Sequence, residues 1–168
     1  MIMSRLFLVL AVVTGAVTGT FGGGVGAGAA AITGDGLRCE ATEIRHNVYT
    51  EGCAAVHTFQ SSDFTYVVGV TEASAYSIVD GQRVPAKKVR VRIALSEIYV
   101  DGRPADRRAC SCSPATLVQD ATRNATLGST AQAAVTYEVW VLRGSRLVQS
   151  ASTFTVMSDV VATPAPAG

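Results

Sequence analysis

The feature that most constrains this chain is the alternation from Gln132 to Met157. Val135, Tyr137, Val139 and Val141 fall on one face of an extended segment, and Thr136, Glu138, Trp140 and Leu142 on the other. Arg143-Gly144-Ser145 interrupts the pattern. It resumes from Arg146 through Val148, Ser150, Ser152, Phe154 and Val156. Successive side chains of a strand point to opposite faces, so two period-2 runs joined by a short glycine-containing loop predict a β-hairpin. The first arm is dense in β-branched and aromatic residues, which suit a pleated, half-buried surface. This hairpin is expected at the centre of the core.

Shorter runs of the same kind precede it. Arg38 to Tyr49 reads as a strand, because its Thr, Ile and Val are poor helix formers. Thr50-Glu51-Gly52 reads as a turn, Cys53 to Phe59 as a strand and Gln60 to Asp63 as a loop. Phe64 to Val70 alternates, with Phe64, Tyr66, Val68 and Val70 on one side. Tyr76 to Val79 is a short strand ending in Asp80-Gly81, a dipeptide that favours tight turns. Pro85 bars continuous pairing through its position. Val89 to Leu95 sends Val89, Val91, Ile93 and Leu95 inward and Arg90 and Arg92 outward, with a bulge expected near Ser96-Glu97. Asp101-Gly102 turns again, and Arg103 to Arg108 reads as a polar loop. No amphipathic helix of any length appears. Seven or eight short strands predict an all-β fold, an antiparallel β-sandwich with immunoglobulin-like architecture.

The first residues are read as an address and not as fold. Leu6 to Val13 are strongly apolar, no charge falls between Leu6 and Gly34, and Ala29-Ala30-Ala31 fits a small-x-small cleavage site. Residues 1–31 are therefore expected to be a secretory signal peptide, with 32–161 the sandwich domain and 162–168 a disordered Ala/Pro tail. The competing expectation is an uncleaved anchor, since about 20 uncharged residues can span a bilayer. Removing Arg5 from the 14 Lys and Arg leaves as many bases as the 13 acids. That balance argues against generic nucleic-acid binding, which depends on excess positive charge. Contact with a membrane is expected only through the leader.

Four cysteines in an exported chain imply two disulfides. Cys110 and Cys112 lie about 6.5 Å apart on an extended segment, near the outer edge of disulfide geometry. Joining Cys39 and Cys53 to Cys110 and Cys112, in either order, is the preferred pairing. Cys39 to Cys53 with Cys110 to Cys112 is the alternative.

Candidate chemistry is sparse. His46 and His57 are the only histidines, and a hydrolase would have to pair one of them with a nearby carboxylate. A Cys110/Cys112/His46/His57 zinc shell fits the usual ligand spacing poorly, so no cofactor and no metal are expected. Arg83, Lys87, Lys88, Arg90 and Arg92 form a basic stripe suited to an anionic polymer or an acidic protein, because clustered like charges raise the local potential. Arg107 and Arg108 stand before Cys110 in a loop that a protease inhibitor could present as a rigid substrate mimic. Asn124-Ala125-Thr126 is a glycosylation sequon in a eukaryotic or viral setting. Tyr137 and Trp140 could stack a sugar, but their place in the densest strand favours core packing. The reading is a small non-enzymatic module, secreted or held in the cell envelope, that binds an extracellular protein or anionic polymer. The alternatives are a protease inhibitor acting through Arg107-Arg108 and a hydrolase using His46 or His57.

Overall fold

The computed structural model describes residues 34–60, 65–109, 115–121 and 129–163. The expected leader, Phe64, Cys110, Cys112, Asn124 and the last five residues lie outside them. The described residues form ten strands: β1 (Asp35–Arg45), β2 (Val48–Gln60), β3 (Thr65–Val79), β4 (Gln82–Pro85), β5 (Val89–Val100), β6 (Arg103–Arg108), β7 (Ala115–Ala121), β8 (Thr130–Arg143), β9 (Arg146–Met157) and β10 (Val161–Ala162). All pairings are antiparallel. One sheet runs β1-β2-β3, with β4 and β7 both against the far side of β3. The other runs β8-β5-β6, with β9 and β10 both against the far side of β8.

The predicted hairpin is there. Arg143 pairs with Arg146 across a two-residue turn, and Gly144 takes φ +61°. Its β8 arm lies between β5 and β9, with Val135, Tyr137 and Val139 buried against the first sheet as the alternation requires. Asp80-Gly81 and Asp101-Gly102 also turn as read, with φ positive at all four residues, the geometry of a type I′ hairpin turn.

Several boundaries differ from the sequence reading. Thr50-Glu51-Gly52 is not a turn. β2 runs straight through it, and the chain reverses earlier, at Asn47, where φ is +57°. Gly52 is present because Tyr137 lies over it, and Gly69 of β3 lies under Ile98 in the same way. A glycine inside a strand marks such close approach as readily as a turn. β3 is one strand of 15 residues and not two short ones, since β2 covers one side of it from Thr65 to Ser77. Pairing on that scale overrides the weak β-propensity of Glu72, Ala73 and Ala75. The bulge of β5 falls between Ile93 and Leu95, so Leu95 leaves the core face. Arg103–Arg108 is a strand on β5 and not a loop. At the other extremity, Ala162 pairs with Thr130 and the backbone N–H of Thr163 donates to the Ser129 carbonyl, so these two residues are tied down.

The inward faces of the two sheets share one core. Val48, Ala54, Val56, Val67 and Ala73 meet Val89, Val91, Ile93, Ile98, Val135, Tyr137, Val139 and Val156. A 3.0 Å hydrogen bond between the Thr71 and Ser96 hydroxyls crosses it. Cys39 and Cys53 face each other across β1 and β2 and form a disulfide with Cα atoms 4.1 Å apart. This overturns the preferred pairing of those two cysteines with Cys110 and Cys112. The sequence reading had set Gly52 in a turn between two strands, which hid that residues 14 apart were direct cross-strand neighbours.

Candidate functional site: a basic end of the second sheet

Thr71 against Ser96, and Gly69 against Ile98, show that β3 and β5 run in opposite senses across the core. The Val79 end of β3 and the Val89 end of β5 therefore share one end of the molecule. Val89 pairs with Val141, and the Leu142 N–H donates to the Lys88 carbonyl at 2.8 Å, so the β8–β9 turn lies at that end too. The Asn47 turn joins them through the Ile78 N–H, which donates to the Asn47 carbonyl.

Two acid-free stretches meet there. From Gly81 to Ser96 the chain carries Arg83, Lys87, Lys88, Arg90 and Arg92, and from Val139 to Ser158 it carries Arg143 and Arg146. Pairing of β5 with β8, and of β8 with β9, sets the two stretches side by side. Among the described residues, Lys87, Lys88, Arg90, Arg92, Arg143 and Arg146 form no ion pair. All are exposed. Arg90 is held in place by its own turn, donating from Nη1 to the Ala86 and Val89 carbonyls at 3.2 and 3.0 Å. Glu138 stands across from Arg92, and Asp80 marks the neighbouring β3–β4 turn. Trp140, the chain's single tryptophan, lies between Arg90 and Gln149 on the outward face of the sheet.

Arg83 leaves the stripe in which the sequence reading placed it. It sits on the outward face of the first sheet, 2.9 and 3.2 Å from the two oxygens of Glu51, with its guanidinium 4.2 Å from the centre of the Tyr76 ring. Tyr76 in turn stacks on Tyr49 at 5.5 Å. Burial alone would lower the Arg83 pKa, but the hydrogen bond and charge of Glu51 outweigh it and hold it above its ordinary value. Burial first, then the Glu51 charge, push the Tyr76 phenol up. The same two causes push up the carboxyl of Glu72, which stands across from Cys53.

Arg107 and Arg108 are on β6, at the far end from the basic cluster. Arg107 binds Glu97 at 2.7 Å and Arg108 binds Asp106 at 3.2 Å. They therefore do not form the free loop that an inhibitor would offer. His46 lies at the Asn47 turn, where its ring nitrogen meets the Asn47 amide at 3.1 Å. His57 stacks on Phe59 on the outward face of β2, about 30 Å of strand away. That separation rules out a zinc shell containing both. Among the described residues no group of three or more His, Cys, Asp or Glu could hold a metal ion. Tyr137 is core, as its alternation implied, and burial pushes its phenol up.

The sequence reading missed Arg143 and Arg146 as members of the basic cluster. The signal was present as the acid-free run from Val139 to Ser158, but it becomes informative only once β8 is known to pair with β5. Comparison with protein-family models, with curated proteins and with solved structures finds no match to this chain.

Proposed function

We propose that the chain is an exported β-sandwich of immunoglobulin-like architecture that works as a binding module at the cell envelope or outside the cell, and that its basic end grips an anionic partner. The observation that carries this reading is the gathering of Lys87, Lys88, Arg90, Arg92, Arg143 and Arg146, with no ion pair among the described residues, at one end of a chain whose bases and acids nearly balance overall. Clustered charge of one sign raises the local potential and speeds encounter with an oppositely charged surface. The Cys39–Cys53 bridge accords with an oxidising compartment. His46 meets Asn47 and His57 stacks on Phe59 far along β2, so the two histidines do not share a site.

Retention on dextran sulfate beads tests the reading. The protein is expected to bind at low ionic strength and to elute at about 1 M salt, where screening shortens the reach of charge to about 3 Å. A Lys87→Glu/Lys88→Glu/Arg143→Glu/Arg146→Glu variant is expected to pass through unretained. Equal retention of that variant and the wild type would refute the assignment of the basic end.

A further inference from the structure

Among the described residues the exposed large hydrophobics fall into two groups, Val79, Val84, Leu147 and Val148 at the basic end and Leu37, Phe59, Met157 and Val160 away from it, and the first group alone shares its end with the cluster of cations. Leu147 and Val148, immediately after the β8–β9 turn, are 50 % and 42 % exposed. Leu147 stands across from Leu142, and Val148 lies at the rim of the core across from Val141. At the neighbouring β3–β4 turn, Val79 and Val84 are 50 % and 36 % exposed. Isolated exposed aliphatics are ordinary on protein surfaces. Here Val79, Val84, Leu147 and Val148 sit on the strand ends beside the β3–β4 and β8–β9 turns, and Arg143 and Arg146 flank the turn that leads to Leu147 and Val148.

A hydrated anionic polymer would satisfy the cations and leave these aliphatics in water. A bilayer with anionic headgroups satisfies both, because cations gain at its surface potential while apolar side chains enter the boundary beneath the headgroups. Trp140 sits on the strand leading into the same turn, half-buried with its indole N–H out of water, so it reports on this face and is not one of the side chains that enter the lipid. Building on the binding reading above, we infer that the partner of the basic end is an anionic lipid surface, entered by Leu147 and Val148 with Arg143, Arg146, Lys87 and Lys88 on the headgroups. Asp80 works against this contact, since it places a negative charge on the adjacent turn.

The experiment is co-sedimentation of the intact protein with vesicles of phosphatidylglycerol and phosphatidylcholine, and with vesicles of phosphatidylcholine alone. Energy transfer from Trp140 to a dansyl lipid gives a second readout at the same face. The wild type is expected to bind the anionic vesicles and not the neutral ones. The four-site Glu variant is expected to lose more than about a hundredfold in affinity, each cation near an anionic surface being worth about fivefold. Leu147→Gln/Val148→Gln is expected to lose tenfold or more on vesicles (an estimate from two half-buried aliphatics) while its retention on dextran sulfate is unchanged. Both substitutions are at exposed sites, so an unchanged melting temperature checks that the fold survives. Asp80→Asn is expected to tighten vesicle binding. Vesicle binding that Leu147→Gln/Val148→Gln leaves intact, or retention on dextran sulfate without any vesicle binding, overturns the lipid assignment and leaves the binding module standing. Failure to bind both materials overturns the two together.

Discussion

Gly52 of β2 lies beneath the ring of Tyr137 in β8, so close that a β-carbon on Gly52 would stand 2.5 Å from Tyr137 Cε1 and 3.1 Å from Val156 Cγ2. Tyr137 cannot easily swing aside, because its other contacts include Phe154, stacked on it at 5.5 Å. Gly69 repeats the arrangement under Ile98, where a β-carbon would meet Cγ1 at 2.8 Å. The two glycines let the largest core side chains of one sheet reach the backbone of the other. Gly52→Ala and Gly69→Ala are each expected to cost about 1–3 kcal/mol, the usual penalty for overpacking a filled core. Urea denaturation measures it, and unchanged midpoints in both variants would show that the sheets part without cost.

The same glycine shows how far the sequence could be read. Period-2 patterning made the β8–β9 hairpin legible, because β8 buries Val135, Tyr137 and Val139 on one face and the β9 run ends in the half-buried Phe154 and the buried Val156. It also gave the inward face of β5 as far as Ile93. Alternation fails where both faces of a strand are covered. β2 is buried from Gly52 to Val56 without a break, and its glycine therefore looked like punctuation. β6 was invisible for the opposite reason. Arg103, Pro104, Arg107 and Arg108 are exposed, and only its pairing with β5 makes it a strand. The basic cluster was half legible: Lys87 to Arg92 are contiguous in sequence, whereas Arg143 and Arg146 join them only through sheet register.

The Cys39–Cys53 bridge closes a short loop, with the two residues 14 apart. In the chain-entropy account a loop of about 15 residues contributes about 3 kcal/mol by restricting the unfolded chain. Among the described residues β1 pairs only with β2 and is largely exposed, so the bridge has most to do at that edge. Cys39→Ser/Cys53→Ser is expected to lower stability by about that amount and to speed amide exchange in β1, while β8 amides remain slow. A non-reducing peptide map must first show the Cys39 and Cys53 peptides linked to each other. Linkage of either one to the Cys110–Cys112 peptide would contradict the pairing.

Glu97 is a carboxylate taken almost wholly out of water, 8 % exposed. Its Oε1 accepts from Arg107 Nε at 2.8 Å and from Nη2 at 2.7 Å, and its Oε2 accepts from the Tyr99 hydroxyl at 3.0 Å. Removing the arginine leaves a buried charge with one donor. Arg107→Ala is expected to cost about 2 kcal/mol, within the range for hydrogen bonds to charged groups. Adding Glu97→Gln to that variant should recover part of the loss, because the buried charge is then gone. Thermal denaturation of the two single variants and the double separates the cases: strictly additive losses would show that Arg107 and Glu97 do not act as a pair.

Glu72 supplies the pH dependence. Its folded-state pKa is raised, first by burial and then by the charge of Glu51. A raised carboxyl favours the protonated form in the fold. The stability it contributes is complete below the unfolded value of about 4.3 and is lost as pH rises through the folded value. Wild type therefore carries a cost at neutral pH that Glu72→Gln, uncharged throughout, does not. The variant is expected to melt slightly higher than wild type at neutral pH, with the gap closing as pH falls below about 4. Glu51→Gln removes the second cause and should narrow the neutral-pH gap between Glu72 and its glutamine variant, although it also releases Arg83 from its partner. Melting curves of wild type, the two single variants and the Glu51→Gln/Glu72→Gln double across pH 3 to 8 provide the check, and a Glu72→Gln chain less stable than wild type at neutral pH would mean that the charged carboxylate has a favourable contact outweighing its burial.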